Sequence, residues 1–157
     1  MRHDDRPVSS WRDQERWRSL RDGSTCWTCA DGPGGILIAE SPAAWVTTRV
    51  DVPCRGYLCI YARRHVVEPY ELPPDELEVF FATVAAAARA INEVVTPVKM
   101  NYEIHGNTNP HLHLHVFPRY IGDPFEGGPI RASELHAAHS KEDIARFADA
   151  IGKALAR

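Results

Sequence analysis

The sequence lacks an excess of charge of either sign, a long apolar run and a hydrophobic leader. Its 157 residues include 18 lysines and arginines against 21 aspartates and glutamates, and the net charge of −3 argues against a broad nucleic-acid-binding surface. No apolar stretch reaches the length of a membrane span, so we expect no membrane partner. The charged residues 1–6 precede no hydrophobic segment, which argues against a secretory signal and predicts a cytoplasmic protein.

The chain has four cysteines. Thiols stay reduced in the cytosol, so we interpret these residues as metal ligands or core residues rather than disulfides. Cys26 and Cys29 form a C-x-x-C motif, which alone could be half of a zinc site or a redox pair. A redox pair usually opens a helix after a strand, whereas this motif precedes the turn-forming residues 31–35, which does not fit.

A chain of this length supplies one domain with a sizeable core. We expect an N-terminal extension with a short helix over residues 1–25, the main domain over 26–130, and a C-terminal helical segment over 131–157 packed on it. Residues 1–9 are expected to lack fixed structure. A basic surface helix is predicted from Trp11 to Leu20, with Ser10 as its N-cap.

Helical periodicity and turn residues predict the rest of the fold. A long amphipathic helix should begin near Pro73 and end before Pro97, and a last helix should follow Ser140. Short turns between consecutive strands favour antiparallel pairing, so the prediction is an α+β domain. The predicted strands are 36–38, 45–50, 57–61, 99–104 and a histidine-rich segment, 110–119.

In that last segment His111, His113 and His115 alternate with apolar residues. Period-two alternation is typical of a strand with one face in a core, so the three imidazoles should share the other face, roughly 7 Å apart. Such a row can bind an oxyanion, coordinate a metal, or supply a nucleophile and the residues that assist it. A lone histidine is usually an ordinary polar residue, but three in register indicate a functional site.

The segment from His111 to Phe117 resembles the His-φ-His-φ-His-φ-φ signature of the histidine triad (HIT) family of nucleotide hydrolases and transferases, where φ is apolar. Pro118-Arg119 after it and the Gly-Asn-Thr-Asn-Pro turn over 106–110 before it also resemble the family. Asn109-Pro110-His111 is similar to the galactose-phosphate uridylyltransferase branch. The resemblance covers about residues 26–129 and implies a five-stranded antiparallel sheet, one long packing helix and a homodimer.

The resemblance also implies a reaction. It is attack on the α-phosphorus of a nucleotide ester, anhydride or phosphoramidate, through a covalent nucleotidyl intermediate on His113. A neutral imidazole can be the nucleophile if its tautomer is correct and its other nitrogen has a partner. His115 would contact the phosphate oxygens, and Asn107, Thr108 and Asn101 would add substrate contacts.

In HIT proteins with a C-x-x-C motif, the other two zinc ligands are a histidine after the central strand and the first triad histidine. The matching residues here are His65 and His111. The resemblance therefore implies one structural Zn²⁺ held by Cys26, Cys29, His65 and His111.

Two positions depart from the family pattern. Many members have Gly-His at the start of the central strand, where this chain has Gly56-Tyr57. The ribose-binding acid or amide, about eight residues earlier, falls at Arg49, with Asp51 nearby. We expect Tyr57 and Arg49 to contact the substrate and set its preference. Arg49 could meet an additional negative charge there, or simply be solvated.

Two other classes of function remain open. A hydrolytic metalloenzyme would use the three triad histidines as ligands of a catalytic metal, which leaves the C-x-x-C motif unexplained. A regulatory module that binds nucleotide with weak catalysis is favoured by the unusual Tyr57. The glycine-containing residues 122–129 suit either a flap over the site or a plain surface loop, and His136 and His139 are expected at the surface.

Overall fold

The computed structural model describes residues 11–51, 54–131 and 139–157. The predictions for residues 1–9, Ser10 and His136 lie outside these ranges. Four α-helices, five strands and a short 3₁₀ helix make up the described chain. In order they are α1 (Gln14–Arg21), α2 (Trp27–Asp31), β1 (Ile36–Glu40), β2 (Ala44–Thr48), β3 (Leu58–Ala62), the 3₁₀ helix (Pro69–Glu71), α3 (Pro74–Val95), β4 (Lys99–Ile104), β5 (His113–Arg119) and α4 (Lys141–Leu155).

The five strands form one sheet in the order β1-β2-β3-β5-β4, and every neighbouring pair is antiparallel. The predicted α+β fold with a five-stranded antiparallel sheet is confirmed. Strand β5 lies between β3 and β4, with Cys59 and Glu103 opposite His115 and Tyr61 opposite His113. These residues share one face of the sheet, which we call the triad face.

The opposite face of the sheet packs against α3 and forms the main core. Leu114, Val116 and Ile60 from the sheet pack with Phe80 and Ile91 from the helix, and all five are nearly or fully buried. Burying each such side chain contributes roughly 1.5–3 kcal/mol, so this layer fixes β5 in the middle of the domain. The triad face is thereby held on a rigid support.

Capping residues set the starts of α1 and α4, and α1 starts later than predicted. Helix α1 begins at Gln14 rather than Trp11 because the Asp13 carboxylate accepts a hydrogen bond from the Arg16 amide at 3.0 Å. The Ser140 hydroxyl accepts from the Asp143 amide at 3.0 Å and caps α4 as expected. Helix α2 was missed because five residues are too few to show a helical period.

Strand β5 begins at His113, three residues later than the start of the predicted segment. The His111 amide donates to the Asn109 carbonyl at 2.8 Å, which turns the backbone, and Pro110 has no amide proton to donate. His111 therefore precedes the strand and does not continue its row of side chains. No helix in the described ranges is long and apolar enough to cross a bilayer.

Arg119 fastens the loop that follows β5. Its side chain is 9% exposed, forms an ion pair with Asp123 at 2.7 and 2.8 Å, and donates to the carbonyls of Phe125 and Gly128 at 2.6 and 2.8 Å. Phe125 packs against the buried cluster that includes Tyr57 and Phe117. The loop is thus anchored against the triad face, and its anchor lies in the strand that carries the histidines.

Candidate functional site

His113 is held in one tautomer by the backbone. Its Nδ1 lies 2.7 Å from the carbonyl oxygen of His111. A carbonyl can only accept, so Nδ1 must carry the hydrogen, and in the neutral ring Nε2 then carries the lone pair. The ring is 9% exposed, and burial lowers its pKa below the ordinary value for histidine. His113 is thus a neutral imidazole with a nucleophilic Nε2.

The ring of His115 lies beside that of His113, and its Nδ1 has a different partner. The ring centroids of His113 and His115 are 4.9 Å apart and nearly perpendicular. Nδ1 of His115 lies 2.7 Å from the hydroxyl of Tyr57. Burial is the largest influence on this ring and lowers its pKa to about 3. The neutral form of His115 therefore prevails at pH 7.

Tyr57 can fix which nitrogen of His115 carries the hydrogen. The tyrosine is 5% exposed, and burial raises its pKa well above the ordinary value, so the phenol keeps its proton. A neutral phenol that donates to Nδ1 leaves the hydrogen of His115 on Nε2. With the bond in that direction, the site combines a lone pair on Nε2 of His113 with an N–H donor on Nε2 of His115.

Because Tyr57 is buried, it lies behind His115 rather than at the surface of the triad face. Its ring packs on Phe117 with centroids 5.1 Å apart. The sequence predicts a substrate contact at this position. In the structure the Tyr57 hydroxyl is hydrogen-bonded to Nδ1 of His115. Any influence of Tyr57 on the substrate would therefore pass through that imidazole.

The other predicted substrate contacts are more dispersed. Asn101 lies on the triad face opposite Phe117 and lines a cavity of about 450 Å³ beside the loop after β5. Asn107 and Thr108 are exposed, in a turn that follows Gly106 with its φ of 71°, and neither side chain makes a hydrogen bond within the described part of the chain. The turn leaves both side chains accessible to a ligand.

Arg49 forms a bidentate ion pair with Asp51, with nitrogen–oxygen distances of 2.8 and 2.5 Å. Its guanidinium is close enough to lower the pKa of His115, after the larger effects of burial and of His113 and His105. Arg49 is therefore positioned at the edge of the triad face, and part of its charge is already neutralised by Asp51.

The four predicted metal ligands come together in space. Their ligand atoms lie within 4.8 Å of one another, although Cys26 and His111 are 85 residues apart. Nδ1 of His111 lies 3.3 Å from Nδ1 of His65, 3.5 Å from Sγ of Cys26 and 3.6 Å from Sγ of Cys29. A tetrahedral site with ordinary zinc bond lengths would separate two nitrogens by about 3.3 Å, and nitrogen from sulfur by about 3.6 Å.

Both histidine rings of this cluster also have the required tautomer. Nε2 of His111 lies 2.8 Å from the Ala62 carbonyl, and Nε2 of His65 lies 2.9 Å from the Arg21 carbonyl. Each Nε2 must donate, so each Nδ1 keeps a lone pair that points into the cluster. Burial lowers the pKa of His111 to about 4, which preserves its neutral, coordinating form.

The cysteines complete a donor set that suits a cation. Desolvation, with the neighbouring Cys26, raises the pKa of Cys29 to about 11. Thiolates at this position therefore require a compensating positive charge, which a bound metal ion supplies. Asn109 supports the motif by donating to the Thr28 hydroxyl at 2.9 Å. The residues present fit a four-coordinate metal site.

The geometry also bears on a catalytic metal held by all three triad histidines. Nδ1 of His111 turns toward the cysteines, whereas Nδ1 of His113 is occupied by the His111 carbonyl. Over the described ranges, the one group of three or more potential ligands is the Cys26, Cys29, His65 and His111 cluster. The three triad histidines therefore do not converge on a common point.

Sequence reasoning missed a pair of residues on β4 and directly after it. Glu103 lies opposite His115, and the ring of His105 lies 5.8 Å from the ring of His115. The two side chains are joined by a bond of 2.9 Å between Nε2 of His105 and a Glu103 carboxylate oxygen. Their spacing of two residues was the available signal, but only the register of β4 on β5 shows that they reach the triad face.

Comparisons with known proteins agree with this geometry. The model of the HIT domain matches residues 36–122, more than half of the chain. "Protein hit" of Bacillus subtilis is 30% identical over 109 residues, which span 65% of this chain and 72% of that protein. The bis(5′-nucleosyl)-tetraphosphatase [asymmetrical] of Schizosaccharomyces pombe is 31% identical over 98 residues, 59% of this chain and 52% of that protein.

Solved structures share the fold. A histidine triad protein from Bradyrhizobium japonicum superposes with a TM-score of 0.70 at 25% identity, over 76% of this chain and 90% of that one. A zinc-bound histidine triad family protein from Mycobacterium smegmatis gives a TM-score of 0.64 at 24% identity, over 85% of this chain and 96% of that one. The sheet, the triad and the match to the family model together show that this chain belongs to the HIT domain family.

Proposed function

We propose that the protein is a nucleotidyl hydrolase or transferase that cleaves a nucleotide ester, anhydride or phosphoramidate at the α-phosphorus, through a covalent nucleotidyl-His113 intermediate. The observation that carries the proposal is the fixed tautomer of His113, whose Nε2 keeps a lone pair, beside His115, whose Nδ1 can accept from Tyr57 and so leave an N–H on Nε2. The name of the fission yeast relative, a tetraphosphatase, supports a phosphorus-containing substrate.

In the first step Nε2 of His113 attacks the α-phosphorus and forms a P–N bond. The bond from phosphorus to the leaving group breaks, and its electron pair departs with that group. His115 donates from Nε2 to a non-bridging phosphate oxygen as charge develops there. In the second step water, for a hydrolase, or another acceptor, for a transferase, attacks phosphorus and releases His113.

Side chains on both sides of the triad can orient the substrate. On the β3 side Tyr61 stacks on His113 with ring centroids 5.2 Å apart, and Trp45 lies opposite Tyr61 on β2. These aromatic side chains suit a nucleoside, and Arg49 suits an additional negative charge near it. Asn107, Thr108 and Asn101 on the β4 side are then available to the phosphates.

We propose that the metal held by Cys26, Cys29, His65 and His111 is Zn²⁺. Two thiolates and two imidazoles are a donor set typical of structural zinc, and the structural neighbour from Mycobacterium smegmatis is described as zinc-bound. Four protein ligands leave no open position, so zinc would supply a cross-link between the N-terminal segment and the residue that precedes β5.

We also propose a homodimer, and the cytosol stays the predicted compartment. Strand β4 ends the sheet in the described chain, and it exposes apolar residues for an edge strand, with Tyr102 52% and Ile104 39% exposed. Pairing with a second copy would cover this edge. Sedimentation equilibrium should give twice the chain mass at micromolar concentration, and a monomer would contradict the proposal.

The catalytic proposal is tested by a turnover screen with adenosine and guanosine phosphoramidates, dinucleoside polyphosphates and nucleotide sugars. At least one class should be cleaved at the α-phosphorus, and mass spectrometry after an acid-free quench should find the nucleotidyl group on His113. His113→Ala should abolish turnover while nucleotide binding and zinc content persist.

Two results would contradict the proposed reaction. One is near-normal turnover in His113→Ala, and the other is a nucleotidyl adduct on His115 instead. His115→Ala is the matched variant, since loss of one charge-stabilising donor should slow turnover by about 10²–10³ without abolishing it. Tight nucleotide binding without turnover of any class would instead favour a regulatory module.

A further inference from the structure

We infer that His105, oriented by Glu103, is a further catalytic residue that protonates the leaving group. The inference rests on the proposed function and concerns the half of the substrate that departs. His105 directly follows β4, and its ring lies 5.8 Å from that of His115 on the triad face. It is thus a fourth imidazole beside the pair that would attack and stabilise the phosphorus.

Accessibility separates His105 from the triad histidines. Its side chain is 51% exposed, whereas that of His113 is buried, so His105 can touch a group that extends outward from the phosphorus. The aromatic side chains of Tyr61 and Trp45 lie on the opposite side of β5, over β3 and β2. A nucleoside on that side directs the leaving group toward β4, where His105 lies.

Glu103 determines which atom of His105 can act. The carboxylate accepts from Nε2 of His105 at 2.9 Å, and the Glu103 side chain is only 19% exposed because it faces β5. The bond holds the ring on the triad face and leaves Nδ1 as the nitrogen for the substrate. In the protonated ring, Nδ1 carries a second N–H that can be transferred.

Proton transfer from His105 accompanies the loss of the leaving group. Nε2 of His113 forms the P–N bond, and the bond between phosphorus and the leaving oxygen breaks with its electron pair on that oxygen. The proton on Nδ1 of His105 passes to the same oxygen, which leaves as a neutral hydroxyl group. His105 is then a neutral base that can take a proton from the water or acceptor of the second step.

A general acid matters most when the leaving group is poor, so the test compares two leaving groups. The probes are the 4-nitrophenyl and ethyl esters of AMP and of GMP, assayed with wild type, His105→Asn and Glu103→Gln. His105→Asn should lower kcat/KM for the ethyl ester by about 10²-fold or more, and by less than about tenfold for the nitrophenyl ester.

Glu103→Gln should give the same selectivity with a smaller loss, because it keeps His105 but weakens its orientation. Tyr102→Phe is the matched control, since this exposed residue directly precedes Glu103 and its side chain lies on the opposite face of the sheet. Equal losses on both esters, or no loss, in His105→Asn would refute the inference alone. Wild-type failure on all four esters would also refute the inference, whereas failure on every class of the turnover screen would refute the proposed function as well.

Discussion

Replacing Tyr57 by phenylalanine removes one oxygen atom from behind the active imidazole. The ring keeps its packing on Phe117, so the change is confined to the 2.7 Å hydrogen bond with Nδ1 of His115. That nitrogen is buried and would lose its partner, which costs about 1–3 kcal/mol. His115 could then place its hydrogen on either nitrogen, and the donor at Nε2 would be present for only part of the time.

We therefore expect Tyr57→Phe to lower kcat by about 10- to 100-fold, because each 1.4 kcal/mol corresponds to a factor of ten. KM should change little, since Tyr57 is buried and its hydroxyl is bonded to His115. Steady-state kinetics on the best substrate of the screen measure both constants. Tyr57→His, which restores the residue type that the family resemblance predicts, should recover part of kcat.

The control is Tyr120→Phe, which also deletes a hydroxyl, one that donates to the Arg55 carbonyl at 2.9 Å. It should leave kcat within about twofold of wild type. A loss in Tyr57→Phe that appears only in KM would refute the positioning role and would restore the original expectation of a substrate contact. Equal losses in both variants would attribute the effect to general destabilisation.

Two further predictions concern stability. Cys26→Ser should lower the zinc content well below one per chain and reduce the melting temperature, whereas the control Cys54→Ser should change neither. Elemental analysis of protein purified without chelator measures the zinc content, and a zinc-free wild type would contradict the prediction. Asp123→Asn should lose about 1–2 kcal/mol at pH 7, after allowance for solvent screening, because Arg119 holds the pKa of Asp123 near 2. The carboxyl pKa is lower in the folded state, so this stabilisation is present above about pH 4 and is lost as the pH falls toward 2. Urea unfolding across this range should show the difference between wild type and variant vanish at the acidic end, and a constant difference would contradict it.

Local sequence pattern was enough to predict most of the fold. The alternating histidine-rich segment and four short segments separated by turn residues or by the long helix predicted all five strands to within a few residues. The end of α3 before Pro97 and the Ser140 cap followed from the chemistry of single residues. The four metal ligands were predicted from a family resemblance, because no local rule joins Cys26 to His111 across 85 residues.

The features that the sequence did not reveal depend on register and on turns. The turn at Asn109–His111 separates His111 from β5, although the alternating pattern continues through it. The pairing of Glu103 opposite His115 is set by how β4 aligns with β5, which no period within either strand determines. In the same way, Pro118-Arg119 was recognised only as part of a motif, whereas Arg119 binds three residues of the loop after it.

Because His111 lies outside the strand, its side chain and its backbone carbonyl can each serve a different site, which an unbroken row of histidines would not allow. Its ring turns to the cysteines, and its carbonyl holds the Nδ1 hydrogen of His113 at 2.7 Å. One residue therefore belongs to both the proposed zinc site and the support of the proposed nucleophile. If zinc fixes the ring of His111, it also fixes the backbone that selects the tautomer of His113, although no zinc ligand needs to touch the substrate.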